Sequence, residues 1–391
     1  MNMTDFISDI KQPLYHNELD LERFSLMLDN NSQCYKFYWL EALADLLVRD
    51  GKKEITYFEA ASEMIASAWY TISEYHLHMG SMFGSESKNA IERAVNLLQQ
   101  LSGLKSNAER DKVLEAINNN RSDLEPIIKQ MTDDVPYRLL SPFVPELKGS
   151  KLWSKDKKLI EYFNTINQND YLPYALKYAS KLETGVLWGD PWAEMVKENY
   201  LLIREWIRAK KVKYLQDRNP SVPGIIYKLD PEGKRDLGRV RDIWNAIMKK
   251  EDVYDIYSDE KLNDKRYDID HFIPWSYVTT DELWNLTPSK KAVNIAKSNH
   301  LPEWELYMGR FTDIQLQLNR NIHSDTHIHA LFENCRNKNL STLWASEQLY
   351  RPCPDEEFCQ LLSENMKTIY TSAKLQGYTV WNYSKEGGYL L

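Results

Sequence analysis

The sequence predicts a mainly α-helical protein with one short α/β insert near residues 251–302. Three observations lead there. Apolar residues recur at three- and four-residue spacing along most of the chain. Only 14 Gly among 391 residues argue against a loop-rich or all-β protein. Helical spacing gives way to short apolar runs between polar turns only from 253 to 302.

The first helix is expected over 33–48, where Phe37, Leu40, Ala44 and Leu47 share a stripe. The pattern continues over 56–79, with Tyr57, Ala61, Ile65, Ala68 and Ile72 on one face, and over 86–102. Shorter helices are expected over 108–119 and 122–131. Pro136, Ser141, Pro142, Pro145 and Gly149 mark a linker or surface turn. A second helical stretch spans about 155–216, its longest helix being 191–214, and a basic amphipathic helix covers 233–249. Short strand-like runs follow at 253–257, 267–273 and 283–288. A helix over 289–299 has Ser289 as its N-cap, and 354–374 is the clearest helix thereafter. The expected organisation is a helical domain over 1–135, a second helical region with basic helices over 150–250, the insert over 251–302 and a helical region over 303–391.

Composition sets outer limits. Apolar residues at 43% and charged residues at 27% are ordinary globular values. No apolar run reaches membrane-spanning length. Residues 1–15 do not read as a signal peptide, and four Cys do not make a disulfide framework, so a reducing cytoplasm is expected. The net charge of −8 counts against a general nucleic-acid binder, because phosphate neutralisation requires Lys and Arg. Charge is nonetheless unevenly placed. Residues 204–218 hold six basic side chains against two acids, and 232–250 hold six against three. Lys210, Lys211, Arg239 and Arg241 are the expected backbone contacts there; solvated helix faces are the alternative.

The chemistry-bearing text is Tyr-Asp-Ile-Asp-His-Phe-Ile-Pro at 267–274, then Leu-Trp-Asn-Leu-Thr-Pro at 283–288, then Asn294, Lys297 and Ser298. Strand, turn, strand and helix would bring Asp270 and Asn294 together. Hydrolysis of a phosphodiester needs a base for water, a cation against the phosphate charge and a stabilised leaving oxygen. A neutral His271 can take the proton. Asp270 and Asn294 offer hard oxygens suited to Mg²⁺ or Mn²⁺. Adjacent strand residues point to opposite faces, so Asp270 and His271 can meet one phosphate only where the strand bends or ends.

Asp-His followed by Asn285 and Asn294, fourteen and twenty-three residues after His271, resembles the HNH endonuclease motif. It is similar in particular to the HNH domains of RNA-guided CRISPR nucleases, including the trailing Lys297-Ser298 and the upstream Asp255-Ile-Tyr-Ser-Asp-Glu-Lys-Leu. The resemblance implies an embedded ββα-metal module. In it Asp270 and Asn294 would ligate the metal, His271 would be the general base, and Asn285 would hold the loop and orient the histidine. Lys297 and Lys290 would contact phosphate. The sequence departs from the motif in two ways: its third letter is Asn294 rather than His, and Asp255 stands where members with a structural zinc often carry Cys. The resemblance covers about fifty residues. Its setting in a large helical chain is similar in layout to bacterial restriction and anti-phage effectors.

The expectation is thus a metal-dependent endonuclease acting on DNA, controlled by its helical region, a regulatory protein partner or homo-oligomerisation. The alternative is a catalytically silent HNH-fold binding or scaffold subunit. His323, Asp325, His327 and His329 are read as a helix start capped by Ser324 with exposed histidines rather than as a metal clamp. Trp275 and Trp284 are expected to pack beneath the hairpin.

Overall fold

The computed structural model describes residues 9–10, 15, 18–29, 31–80, 88–154, 156–229, 235–263, 266–384 and 389–390. The expectations for 1–8, for 86–87 and for the helix start at 233–234 lie outside these residues. The chain divides into two compact units, Met1–Pro220 with Leu229–Pro231, and Ser221–Lys228 with Glu232–Leu391. The proline-rich break at 136–149 therefore lies inside the first unit, and the region expected over 150–250 is split between the two.

The first unit is organised around α1 (Tyr35–Arg49), whose residues Phe37 to Leu47 are all buried, Glu41 and Asp45 among them. After β1 (Glu54–Thr56), a capping box between Thr56 and Glu59 starts α2 (Tyr57–Ser73). An equivalent box between Asn89 and Glu92 starts α3 (Ala90–Ser102), which ends where Gly103 adopts φ 64°. α4 (Arg110–Asn119), α5 (Arg121–Met131) and α6 (Asp156–Ile166) follow.

Two strands then interrupt the expected helical stretch, β2 (Tyr174–Lys177) and β3 (Gly185–Trp188). They form an antiparallel sheet in the order β1-β3-β2. Each strand is at most four residues long, too short for alternation to register against a helical background. The helix expected over 191–214 is broken at Asn199 into α7 (Asp190–Glu198) and α8 (Tyr200–Arg218). The Asn199 side chain donates to Met195 O at 3.0 Å, closing the first helix.

The basic face expected on α8 is partly neutralised from within its own unit. Lys211 is buried with Nζ 2.6 Å from Glu41 Oε2. Lys210 pairs with Asp29 at 2.5 Å, and Arg204 lies 3.5 Å from Asp45. Lys211 is thus corrected from a phosphate contact to a core ion pair. Its charge is spent on a carboxylate that burial would otherwise strand.

In the second unit α9 (Gly238–Met248) precedes β4 (Asp268–His271), α10 (Trp275–Val278), β5 (Leu286–Ser289) and α11 (Lys291–Lys297). β6 (Leu301–Pro302) leads into α12 (Trp304–Ser324) and α13 (Thr326–Asn339), then α14 (Asp355–Leu375), β7 (Val380–Asn382) and β8 (Tyr389–Leu390). β7 pairs in parallel with β6 and antiparallel with β8. Helix α12 supports the β4–β5 hairpin. Phe311 packs on Phe272 with ring centroids 4.6 Å apart, and Gln315 donates to Leu286 O at 2.7 Å. Residues 221–228 brace α10 through Tyr277 Oη to Ser221 O (2.7 Å) and Lys228 Nζ to Tyr277 O (2.8 Å). No described helix is long and apolar enough to cross a membrane.

Candidate nuclease site

β4 and β5 run antiparallel with Asp270 opposite Thr287 and His271 opposite Leu286, and α11 packs against β4. Ile269 on β4 and Val293 on α11 are buried, as are Leu283 and Leu286. These apolar anchors let the strand present polar groups at its end. β4 stops at His271, so one residue of each orientation stands at the strand terminus.

Asp270 is buried, and each carboxylate oxygen takes one donor. Lys297 Nζ lies 3.1 Å from Oδ1, and Tyr257 Oη donates to Oδ2 at 2.7 Å. Lys297 is also buried and donates to His271 O at 2.6 Å. Burial pulls the Lys297 ammonium below its ordinary value, against the opposing pull of Asp270. Lys297 is therefore corrected from an exposed phosphate contact to a buried partner of Asp270.

His271 carries a separate set of partners, as alternation along a strand requires. Its Nε2 lies 2.9 Å from Asp281 Oδ1, and its Nδ1 lies 3.3 Å from Arg235 Nη1. A guanidinium only donates, so Nδ1 holds the lone pair and Nε2–H donates to Asp281. Burial lowers the imidazole below its usual 6.5, and the Arg235 charge adds to this while Asp281 opposes it. The ring is accordingly neutral at pH 7 and in the tautomer that leaves Nδ1 as the base.

Asn285 is fully buried and clamps the loop after β4. Its Oδ1 accepts from Ile273 N and its Nδ2 donates to Ile273 O, both at 2.8 Å. Phe272 N also donates to Asn285 O at 2.9 Å. Asn294 sits one turn before Lys297 on α11, on the same helix face. Its side chain is half-buried and makes no hydrogen bond among the described residues.

Asp255 organises the start of α11. Its Oδ2 accepts from Ser289 Oγ (2.8 Å) and Lys290 N (2.6 Å), and its Oδ1 from Tyr257 N (2.8 Å) and Ser258 N (3.0 Å). Ser289 therefore belongs to β5 and does not cap the helix as expected; its hydroxyl is turned to Asp255. Four hydrogen bonds on one carboxylate fasten 255–258 to the β5–α11 junction.

The other expected contacts are scattered. Lys290 pairs with Glu260. Arg241 donates to Tyr267 O at 2.6 Å, next to the start of β4, and Arg239 to Asn334 O at 3.2 Å. The histidines at 323–329 surround the start of α13, where Asp325 rather than Ser324 is the cap. Sequence reading missed Tyr257, Arg235 and Asp281. Asp281, ten residues beyond His271 in the expected turn, was open to notice as the acid able to reach that ring. Arg235 carried no signal beyond membership of a basic stretch.

Residues 255–303 match the HNH endonuclease family. The match begins at Asp255 and takes in Asp270, His271, Asp281, Asn285, both strands of the hairpin and α11, and leaves out Arg235, Arg239 and Arg241. The chain matches no curated protein and no solved structure.

No group of three or more His, Cys, Asp and Glu side chains among the described residues is placed to hold a metal ion. The donor set that the motif resemblance implies is smaller, one carboxylate, Asp270, and one amide, Asn294. Each Asp270 oxygen accepts a single hydrogen bond and keeps a lone pair. The Asn294 amide is uncommitted. These donors fit a hard divalent cation that retains waters and takes substrate oxygens, and do not fit zinc, which favours nitrogen and thiolate ligands.

Proposed function

We propose that the HNH segment is a ββα-metal module hydrolysing phosphodiester bonds in DNA, with Mg²⁺ or Mn²⁺ as cofactor. The observation carrying this reading is the state of His271: a buried, neutral imidazole with Nε2–H fixed on Asp281 and its Nδ1 lone pair at the end of β4. A neutral imidazole with a fixed tautomer is what water activation requires. Asp270 and Asn294 would hold the cation. Bound there, it would offset charge developing on the phosphate.

The remaining roles belong to the chain itself. Lys297 fixes the Asp270 carboxylate and the His271 carbonyl together. Asn285 holds the 271–273 turn so that the imidazole stays at the strand end. A phosphate lying across that end would meet His271 on one side and the Asp270–Asn294 pair on the other. Arg239, Arg241 and Lys290 are the proposed backbone contacts in this unit. Such contacts position a duplex without reading its sequence. The layout supports a restriction or anti-phage effector governed by its helical region or a partner.

The test is cleavage of supercoiled plasmid and of single-stranded DNA by the full chain in Mg²⁺, in Mn²⁺ and in EDTA. The reading expects cleavage with either ion and none in EDTA. Cleavage that persists in EDTA overturns the metal-dependent assignment. Metal-independent binding of DNA without cutting favours the silent scaffold.

A further inference from the structure

The base of the proposed site is covered by an arginine. Arg235 Nη1 lies 3.3 Å from His271 Nδ1, the ring nitrogen that carries the lone pair. The guanidinium lies 5.3 Å from the Trp275 ring centroid and 3.9 Å from Asp281 Oδ1. The Arg235 side chain is about one-third exposed, whereas that of His271 is 5% exposed. The cation therefore faces solvent on one side and the base on the other.

We infer that Arg235 is a substrate-displaced guard of the general base, resting on His271 Nδ1 and moving to a phosphate oxygen of the bound strand. The inference rests on the nuclease reading of this site and adds to it a gating and phosphate-binding residue. A hydrogen bond from guanidinium to a neutral imidazole nitrogen lacks the opposite charge of an anionic acceptor. Two parallel hydrogen bonds to a phosphate are charge-assisted and much stronger. A phosphodiester arriving at the end of β4 thus outcompetes His271 for Arg235, and the same movement frees Nδ1 for water. Trp275 offers a flat surface against which a guanidinium can shift while keeping its cation–π contact. Without a phosphate the lone pair remains covered, so idle hydrolysis is suppressed by the same residue that recognises substrate.

The test uses the full chain as wild type, Arg235→Ala and Arg235→Lys. The first readout is carbethoxylation of His271 by diethyl pyrocarbonate, followed by peptide mass spectrometry, which needs neither metal nor activity. Arg235→Ala should label His271 several-fold faster than wild type. The second is binding of a fluorescent oligonucleotide in EDTA, where Arg235→Ala should lose about ten-fold in affinity and Arg235→Lys less. The third is cleavage, where KM should rise more than kcat falls. Unchanged labelling together with unchanged affinity overturns the guard, even if wild type cleaves well. Faster labelling and weaker binding in a chain that cuts no DNA would sustain Arg235 as the cover of His271 and as a phosphate contact, and would count against a nuclease active without a partner. Circular dichroism of each variant shows whether either change comes from unfolding.

Discussion

Each unit contains a buried lysine paired with a buried carboxylate, and the two pairs differ in what else surrounds them. In the first unit Lys211 and Glu41 meet at 2.6 Å, Ser67 donates to the same Glu41 oxygen at 2.7 Å, and Arg204 stands 4.0 Å from the other. Burial alone would raise Glu41, but Lys211, Ser67 and Arg204 bring it below its ordinary value. Lys211 also lies 4.0 Å above the Tyr38 ring. Two cations therefore face one carboxylate. In the second unit Lys297 and Asp270 meet at 3.1 Å, Tyr257 supplies one further donor, and burial leaves the lysine shifted toward its neutral form. A single cation faces this carboxylate. The doubly paired carboxylate serves the core; the singly paired one lies at the end of β4, inside the stretch that matches the HNH family.

This contrast can be broken most forcefully at Lys211. Lys211→Met should cost about 3–5 kcal/mol, the usual result of leaving a buried charge alone. Urea denaturation measures it, and adding Glu41→Gln should recover most of the loss. Lys297→Met should cost less, about 1–3 kcal/mol, because burial already opposes the Lys297 ammonium. It should nevertheless lower cleavage far more than stability would explain. Equal stability losses at the two lysines would erase the distinction.

Asn285→Ala sharpens the comparison from the backbone side. Two buried groups of Ile273 lose their partners, so about 2–4 kcal/mol of stability should go, together with activity. A smaller effect concerns pH. The buried His271 is lowered below 6.5, so its neutral form dominates at pH 7. Its contribution to stability is present above about 6.5 and fades as pH falls through the lowered folded value. Cleavage at limiting DNA, which reports the substrate-free protein, should hold down to pH 6.5 and decline only below it. An acidic limb above 6.5 would mean that Arg235 and burial do not govern the base.

Much of the second unit was legible in the sequence, because polar residues at fixed spacing between short apolar runs have few alternative meanings. The strands of the hairpin, the helix carrying Asn294 and the long helix over 355–375 follow such patterns. The sheet of the first unit was not legible. β1 pairs with β3 across more than a hundred residues, and the few apolar positions of each strand fit a helix equally well. Charge was the least readable quantity. The six basic residues of 204–218 suggest a nucleic-acid surface, but Glu41, Asp45 and Asp29, far away in sequence, absorb several of them. Lys297 stands in the motif where it was expected, yet faces inward. No local pattern records which carboxylate a lysine will meet.

The central claim is that His271, fixed on Asp281, is the base of a metal-dependent nuclease. Plasmid cleavage by wild type, His271→Ala and Asp281→Asn in Mg²⁺, with folding checked by circular dichroism, tests it most directly. The account predicts cleavage by wild type, none by His271→Ala, and a reduced rate for Asp281→Asn, which can no longer stabilise the charged imidazole. Equal cleavage by wild type and His271→Ala would place the active centre elsewhere and contradict the account.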